Sequence, residues 1–287
     1  MSYLKQGIGI FLLVIAICGG PLILYTVKEE VVFAPENIVA PTIYLLEEMA
    51  GGSLGSYYVG ETQRSIAGDI MPFALNTFRL LFASTLTAVI ASLLFGLFFQ
   101  RFWLVRKLQS LLNATTVIPD FIVIMLAILG AVSFYKWTNI RIITLSPTSD
   151  APNEWFPIML LAVGPTIFLW KVISLKYAQV GGEDYIRTAV GKGMGIWHVL
   201  IHHMYKNIKP TLLADLKKTI AIAVTNLFIV EYLLNVVGIT RFIFSKSAGY
   251  QFAPSVIGLF CIILLSLLVY LLIRLLLYLF ERAVVYK

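Results

Sequence analysis

The sequence predicts an all-α, polytopic membrane protein with six transmembrane helices, and three observations support this fold class. Hydrophobic residues make up 59% of the 287 residues and charged residues only 13%, with a mean hydropathy of +0.88. An average soluble domain contains about 25% charged residues. Six apolar stretches approach the roughly 20 residues that a helix needs to cross a bilayer core. Lysine and arginine concentrate in the segments that such a topology places inside the cell.

The six predicted spans are defined by the length of each apolar stretch. They cover residues 7–27, 75–99, 111–135, 157–175, 219–237 and 255–280. The first is too long for the apolar core of a signal peptide, so we expect a retained helix. The third has an alternative start at Pro119, because proline suits the first helical turn and the negative charge of Asp120 would then stabilise the helix N-terminus.

The charge distribution predicts the orientation of these spans. With both termini in the cytoplasm, the inner side collects most lysines and arginines, whereas the segment predicted outside is rich in glutamate. The net charge of +7 is therefore a topology signal and indicates no nucleic-acid partner. Three regions follow: an N-terminal transmembrane helix (1–27), an extracellular loop region (28–74) and a five-helix core (75–287). The core contains a long polar loop on the cytoplasmic side, 176–218.

This inner polar loop is predicted to form two short helices separated by glycines. Asp184 is the predicted N-cap of a helix over 185–190, and Gly191 and Gly193 interrupt that helix. The second predicted helix, 196–207, has an amphipathic pattern with i, i+4, i+7 and i+8 spacing. Its apolar face consists of Ile196, Leu200, His203 and Met204.

Histidines and glycines in the loop raise the possibility of two kinds of site, and the sequence disfavours both. His198, His202 and His203 form an H-x-x-x-H-H box whose helical spacing suits a metal ion. Three histidines in the whole chain cannot supply the ligand set of a His-box membrane metalloenzyme. Gly191-Lys192 resembles part of a phosphate-binding loop, but Gly193 stands where serine or threonine is required. We therefore expect no metal site and no nucleotide site on this chain.

One run of residues in the inner loop matches a family motif. It reads Glu183-Asp184-Tyr185-Ile186-Arg187-Thr188-Ala189, followed by Lys192-Gly193, Val199-Leu200 and His203 to Asn207. These residues resemble the cytoplasmic coupling loop of ABC-transporter permeases in the oligopeptide/dipeptide/nickel group. That loop typically reads E-D-Y-V-R-T-A-x-x-K-G and then V-L-x-x-H-x-x-R-N. Ile186 and Lys206 replace the valine and the arginine of the family pattern.

A segment after the fifth predicted span supports the same resemblance. It runs from Glu231 to Arg241 and is similar to the family's E-x-x-F-x-x-P-G-L-G-R pattern. The segment keeps the glutamate, the glycine at Gly238 and the arginine, but has Val237 and Thr240 in place of the proline and the last glycine. With weaker matches elsewhere, the resemblance covers nearly the whole chain.

The resemblance implies a type I ABC importer permease fold and a transport subunit rather than an enzyme. The chain would be one permease of a bacterial ATP-driven importer for oligopeptides, dipeptides or a related small solute, in the inner or plasma membrane. Its implied partners are membrane lipid, a second homologous permease, an extracellular or periplasmic substrate-binding protein and two cytoplasmic ATPases. The ATPases, not this chain, would bind ATP and Mg²⁺. The residues implied in ATPase coupling are Asp184, Tyr185, Arg187, Thr188, Ala189, Gly193, His203 and Asn207.

Charged residues inside apolar spans are costly and are therefore candidates for function. Glu231 lies within the fifth predicted span and either pairs with Arg79 to fix helix packing or lines an outer gate. Gly238, Arg241 and Asp120 are the other candidates for the translocation path. A stand-alone secondary transporter with proton coupling through Asp120 or Glu231 is an alternative function, although the sequence shows no inverted repeats.

Overall fold

The computed structural model describes residues 2–27, 30–115, 118–140, 154–244 and 249–284. Residues 1, 28, 29, 116, 117, 141–153, 245–248 and 285–287 of the predicted regions lie outside these ranges, and 116 and 117 belong to the third predicted span. Within the described residues, five helices are long and apolar enough to cross a membrane. They are Lys5–Ile23, Ile66–Phe98, Asp120–Thr138, Trp155–Gly181 and Phe252–Ala283.

The described part of the chain is mostly helical. In chain order, the helices are α1 (Ser2–Ile23), α2 (Val39–Ala50), α3 (Ile66–Leu93), α4 (Trp103–Thr115), α5 (Asp120–Thr138), α6 (Trp155–Gly181), α7 (Asp184–Gly191), α8 (Ile196–His198), α9 (Lys206–Leu233), α10 (Ile239–Ile243) and α11 (Phe252–Val284). A 3-10 turn, Pro35–Ile38, precedes α2. One π-helical stretch, Leu94–Phe98, extends α3, and a second, Val199–Tyr205, joins α8 to α9.

The third predicted span begins later than residue 111. It starts at Asp120, with Pro119 in an extended N-cap conformation (φ −57°, ψ 137°). The alternative start at Pro119 is thus within one residue of the observed start. The helix does not extend further back because the residue before a proline is held out of the helical region. The preceding residues form the separate helix α4, whose apolar side chains Leu104, Leu108 and Leu111 are exposed.

The fifth predicted span, 219–237, corresponds to the second half of α9. This helix ends at Leu233 and includes Lys217, Lys218 and Glu231. These three charges lie within the last 18 residues of α9, whereas each of the five helices above has an apolar stretch of that length with at most two charged residues.

The prediction of an all-α fold is wrong between residues 24 and 65, where two short β-hairpins form. β1 (Leu24–Val27) pairs antiparallel with β2 (Glu30–Phe33), and β3 (Ser56–Val59) pairs with β4 (Thr62–Ser65). The first three strands are rich in β-branched and aromatic residues, which favour extended backbone. Gly60, with φ +63°, supplies the positive φ that suits the two-residue turn between β3 and β4. The helix predicted over 7–27 therefore ends at Ile23, and β1 begins at the next residue.

The described residues divide into two compact units. The first consists of 1–77 and 236–265 and contains both hairpins. Its core includes Val14 and Cys18 of α1 and Phe242 of α10. The three-region division predicted from the sequence follows the membrane topology and stays a prediction.

The second unit consists of 78–235 and 266–287. Helices α6 and α9 pack against each other extensively, and their interface contributes to the core of this unit. Leu212, Leu216 and Ile220 repeat every four residues along α9 and are buried, as an amphipathic helix requires.

The π-helical stretch after α3 packs very closely against α6 within the second unit. A Cβ atom added at Gly96 would lie 2.9 Å from Ile173 Cγ2, 3.1 Å from Ile173 Cβ and 3.2 Å from Trp170 Cδ1. Only glycine allows this approach, because all three distances are shorter than ordinary van der Waals contact.

Candidate functional site

Helix α7 carries most of the residues that the sequence assigns to ATPase coupling. Its N-cap is Glu183, in an extended conformation (φ −71°, ψ 144°), so the predicted cap at Asp184 is wrong by one residue. Asp184 instead opens the first turn, where the helix dipole favours a negative charge. Arg187 Nη1 lies 3.6 Å from Asp184 Oδ1, and the Thr188 hydroxyl donates a 2.9 Å hydrogen bond to the Asp184 carbonyl oxygen.

One face of α7 packs on the core of the second unit. Ile186 and Ala189, three residues apart and therefore on the same face, are only 6% and 4% exposed. The sequence resemblance places Ala189 among the coupling residues, but the structure buries its side chain within this chain. The opposite surface of α7 is formed by Asp184, Tyr185, Arg187 and Thr188, which are all exposed.

Tyr185, His203 and Asn207 lie close together where α7 meets α9. The Asn207 amide Nδ2 donates to the His203 carbonyl oxygen at 2.7 Å. Desolvation and the negative charge of Glu183 raise the pKa of Tyr185, and the nearby Asn207 side chain lowers it by a smaller amount. The exposed side chain of Tyr185 therefore lies beside the first turn of α9.

Gly193 ends the segment that contains α7. Its φ of +76° lies in the left-handed region, and its N–H donates a 2.9 Å hydrogen bond to the Val190 carbonyl oxygen. A Cβ atom at this position would meet nothing within 4 Å. The glycine is therefore required for its backbone conformation rather than for space.

The second predicted helix of the loop does not end at Asn207. It continues as one helical rod through the π-helical stretch and α9 to Leu233. Pro210 lies inside this rod, where Ile208 and Leu212, both fully buried, hold the helix on the core on either side of the proline. Leu200 and Met204 are buried as predicted, whereas Ile196 is 49% exposed.

The rings of His198 and His202 stack on each other, and His203 meets His198 edge-on. The ring centroids of His198 and His202 are 4.1 Å apart with an interplanar angle of 15°, and His203 lies 6.0 Å from His198. The described residues contain no group of three or more side chains that could hold a metal ion.

The residues predicted for the translocation path are distributed over both units. Glu231, in α9, is 1% exposed. Arg79, its hypothesised ion-pair partner, is exposed, and that pair stays a prediction. Gly238 is the N-cap of α10, in the first unit, and its carbonyl oxygen accepts a 3.1 Å hydrogen bond from the Arg241 N–H.

Asp120, the remaining path candidate, lines a cavity of about 290 Å³ within the second unit. Its Oδ2 accepts a 2.9 Å hydrogen bond from Asn226 Nδ2 of α9. Lys171 of α6 lines the same cavity. Sequence reasoning missed Asn226, although an amide inside the apolar part of a predicted span is a signal that could have identified it.

Comparisons with known proteins identify a family of membrane transport proteins. Residues 88–285 match the family of the binding-protein-dependent transport system inner membrane component. The dipeptide transport system permease protein DppB of Bacillus subtilis (strain 168) is 23% identical over 120 residues, which are 42% of this chain and 39% of that protein. The probable peptide ABC transporter permease protein y4tP of Sinorhizobium fredii (strain NBRC 101917 / NGR234) is 28% identical over 141 residues, which are 45% of this chain and 44% of that protein.

The two relatives are matched over less than half of their length. The family match is broader, since it begins within α3 and ends at the end of α11. It covers more than half of the chain, and this protein therefore belongs to the family of binding-protein-dependent transport system inner membrane components.

Proposed function

We propose that this chain is one permease subunit of a bacterial ATP-driven importer of oligopeptides, dipeptides or a related small solute. Family membership makes it a multi-pass inner membrane transport subunit rather than an enzyme. The peptide substrate is supported by two relatives whose names specify dipeptide and peptide transport. A second homologous permease, two cytoplasmic ATPases that bind ATP and Mg²⁺, and an extracellular or periplasmic binding protein complete the proposed assembly.

The proposal includes a sixth span, formed by α9. This helix has 28 residues, so at 1.5 Å per residue it is about 42 Å long, more than the roughly 30 Å of a bilayer core. Six spans place both termini on one side of the membrane, and the distribution of lysine and arginine favours the cytoplasm. Such a chain has the six-helix, type I arrangement that the resemblance implies.

The observation that carries the coupling role is the attachment of α7 to both of its neighbours. Only Gly182 and Glu183 separate it from α6. Ile186 and Ala189 pack in one core with Ile208 of α9, and Tyr185 lies beside Asn207 in the first turn of that helix. An ATPase that binds the exposed face of α7 and moves it would therefore move two membrane helices together. Asp184, Arg187 and Thr188 are the proposed contacts on that face.

The substitution Arg187→Glu tests this role. It reverses a charge on the exposed face of α7 without altering the buried face. We expect the variant to lose ATPase co-purification or at least tenfold of solute-stimulated ATP hydrolysis in the reconstituted complex, because a like-charge contact at an interface costs several kcal/mol. Arg282→Glu is the matched control, since Arg282 is an exposed arginine in the last turn of α11.

Co-purification and ATP hydrolysis are measured for both variants and for the wild-type chain. Normal coupling in both variants would remove α7 from the coupling interface. If no ATPase co-purifies with the wild-type chain from native membranes, the importer assignment itself fails.

A further inference from the structure

The cavity beside Asp120 contains two opposite charges in largely apolar surroundings. Its volume is about 290 Å³, and its walls come from α5, α6, α9 and the residue Ile118. Most of the lining side chains are aliphatic or aromatic. Only Asp120, Lys171 and Asn226 carry polar groups. A small apolar pocket with a few convergent polar groups is the usual form of a small-molecule site.

The carboxylate of Asp120 is held in a fixed position. Asn226 Nδ2 donates a 2.9 Å hydrogen bond to Oδ2. The same oxygen lies 2.7 Å from the point at which a Cβ atom on Gly164 would stand, so the missing side chain of Gly164 makes room for the carboxylate. A carboxylate has about four lone-pair positions, and the asparagine uses one of them. The group can therefore accept further hydrogen bonds from a solute in the cavity.

Lys171 lies on the same face of α6 as Gly164, two helical turns further along. Seven residues at 1.5 Å per residue separate the two positions by about 10 Å along the helix axis. The ion pairs of the described residues do not join Lys171 to Asp120 or to another acid. The cavity thus presents a carboxylate near one end and an ammonium group near the other.

We propose that this cavity is a binding subsite for a zwitterionic solute the size of a dipeptide. Asp120 accepts hydrogen bonds from the ammonium group of the solute, and Lys171 donates to its carboxylate. The apolar walls contact the small side chains of the solute. The subsite rests on the proposed function, because it assigns the peptide end groups to particular side chains of this chain.

Competition binding tests the subsite directly. The purified permease–ATPase complex in nanodiscs, without binding protein, is incubated with radiolabelled Ala-Ala. Unlabelled Ala-Ala, N-acetyl-Ala-Ala and Ala-Ala-amide serve as competitors. We expect each blocked peptide to compete about tenfold more weakly than Ala-Ala, since each lacks one charge-assisted hydrogen bond.

Two substitutions assign each end group to a side chain. Asp120→Asn should abolish the difference between Ala-Ala and its N-acetyl form only, and it keeps an oxygen that can accept the bond from Asn226. Lys171→Gln should abolish the difference between Ala-Ala and its amide only; Lys171 is exposed, so the change leaves the core intact. Glu154→Gln and Lys136→Gln, exposed residues that do not line the cavity, are the matched controls.

Each remaining result contradicts one of the two proposals. An absence of saturable Ala-Ala binding, or ratios that neither substitution changes, overturns the subsite. Import of Ala-Ala by the complete transporter with its binding protein is measured in parallel. If import occurs while the subsite fails, only the subsite is rejected; if no peptide is imported, the peptide importer is rejected as well.

Discussion

The close approach at Gly96 predicts a loss of stability that can be measured. In the Gly96→Ala variant, the new methyl group would lie 2.9 to 3.2 Å from Ile173 and Trp170, both buried in α6. Overpacking of this kind costs about 1–3 kcal/mol. Alanine recovers about 0.5–1 kcal/mol of the conformational entropy that glycine loses in a helix. We therefore expect a net destabilisation of about 1–2 kcal/mol from these two contributions.

Gly130→Ala is the matched control for this substitution. Gly130 lies in α5, and a Cβ atom there would meet nothing within 4 Å, so this variant should gain about 0.5–1 kcal/mol. For a chain of this size, the two melting temperatures should then differ by about 4–8 °C. Thermal unfolding of both variants in nanodiscs is compared at one scan rate, because membrane proteins commonly unfold irreversibly. A Gly96→Ala variant as stable as the Gly130→Ala variant would refute the steric argument.

Three further substitutions test other buried groups. Lys209→Met should destabilise the protein by about 3 kcal/mol, because it leaves the carboxylate of Glu281 without its counter-charge in a site where both side chains are at most 15% exposed. Thermal unfolding is measured for this variant and for the Lys209→Met/Glu281→Leu double variant. The double variant should recover most of the lost stability. Tyr205→Phe should leave the melting temperature unchanged or raise it, since the buried Tyr205 hydroxyl has no hydrogen-bond partner among the described residues; a clear decrease would indicate a partner for the hydroxyl. Glu231→Gln removes a charge from a residue that is 1% exposed; if Glu231 belongs to a gate, transport falls while assembly is intact, and normal transport in the assembled complex would show that its role is structural.

The positions of the membrane helices could be predicted from the sequence because apolar length is a local property. The predicted spans overlap the helices α1, α3, α5, α6, α9 and α11. At the end of the first predicted span, hydropathy favours a helix and β propensity favours a strand, and the sequence alone did not resolve that conflict. The apolar run of the first span continues through the residues of β1, so hydropathy extended the helix into a strand whose β-branched residues pair with β2.

The candidate site was predictable only where its signal is a contiguous motif. The run from Asp184 to Ala189 identifies α7, but not which of its side chains face inward. The burial of Ala189 depends on the core of the second unit, to which distant segments of the chain contribute. The cavity depends on the bond between Asp120 and Asn226, which are 106 residues apart in sequence. A contact of that kind has no periodic or local signature.

Helix α9 connects the two sites that we propose for this chain. Asn207, in its first turn, contacts α7 through Tyr185, and Asn226, on the same helix, holds the carboxylate of Asp120. These two asparagines are 19 residues apart, so a rigid α9 carries a displacement at α7 over about 28 Å to the cavity. Helix α6 provides a second connection, since it lines the cavity at Lys171 and leads directly into α7. Because both helices attach to α7 and both line the cavity, a movement of α7 that shifts one helix against the other must change the spacing between Asp120 and Lys171, the two charges of the proposed subsite.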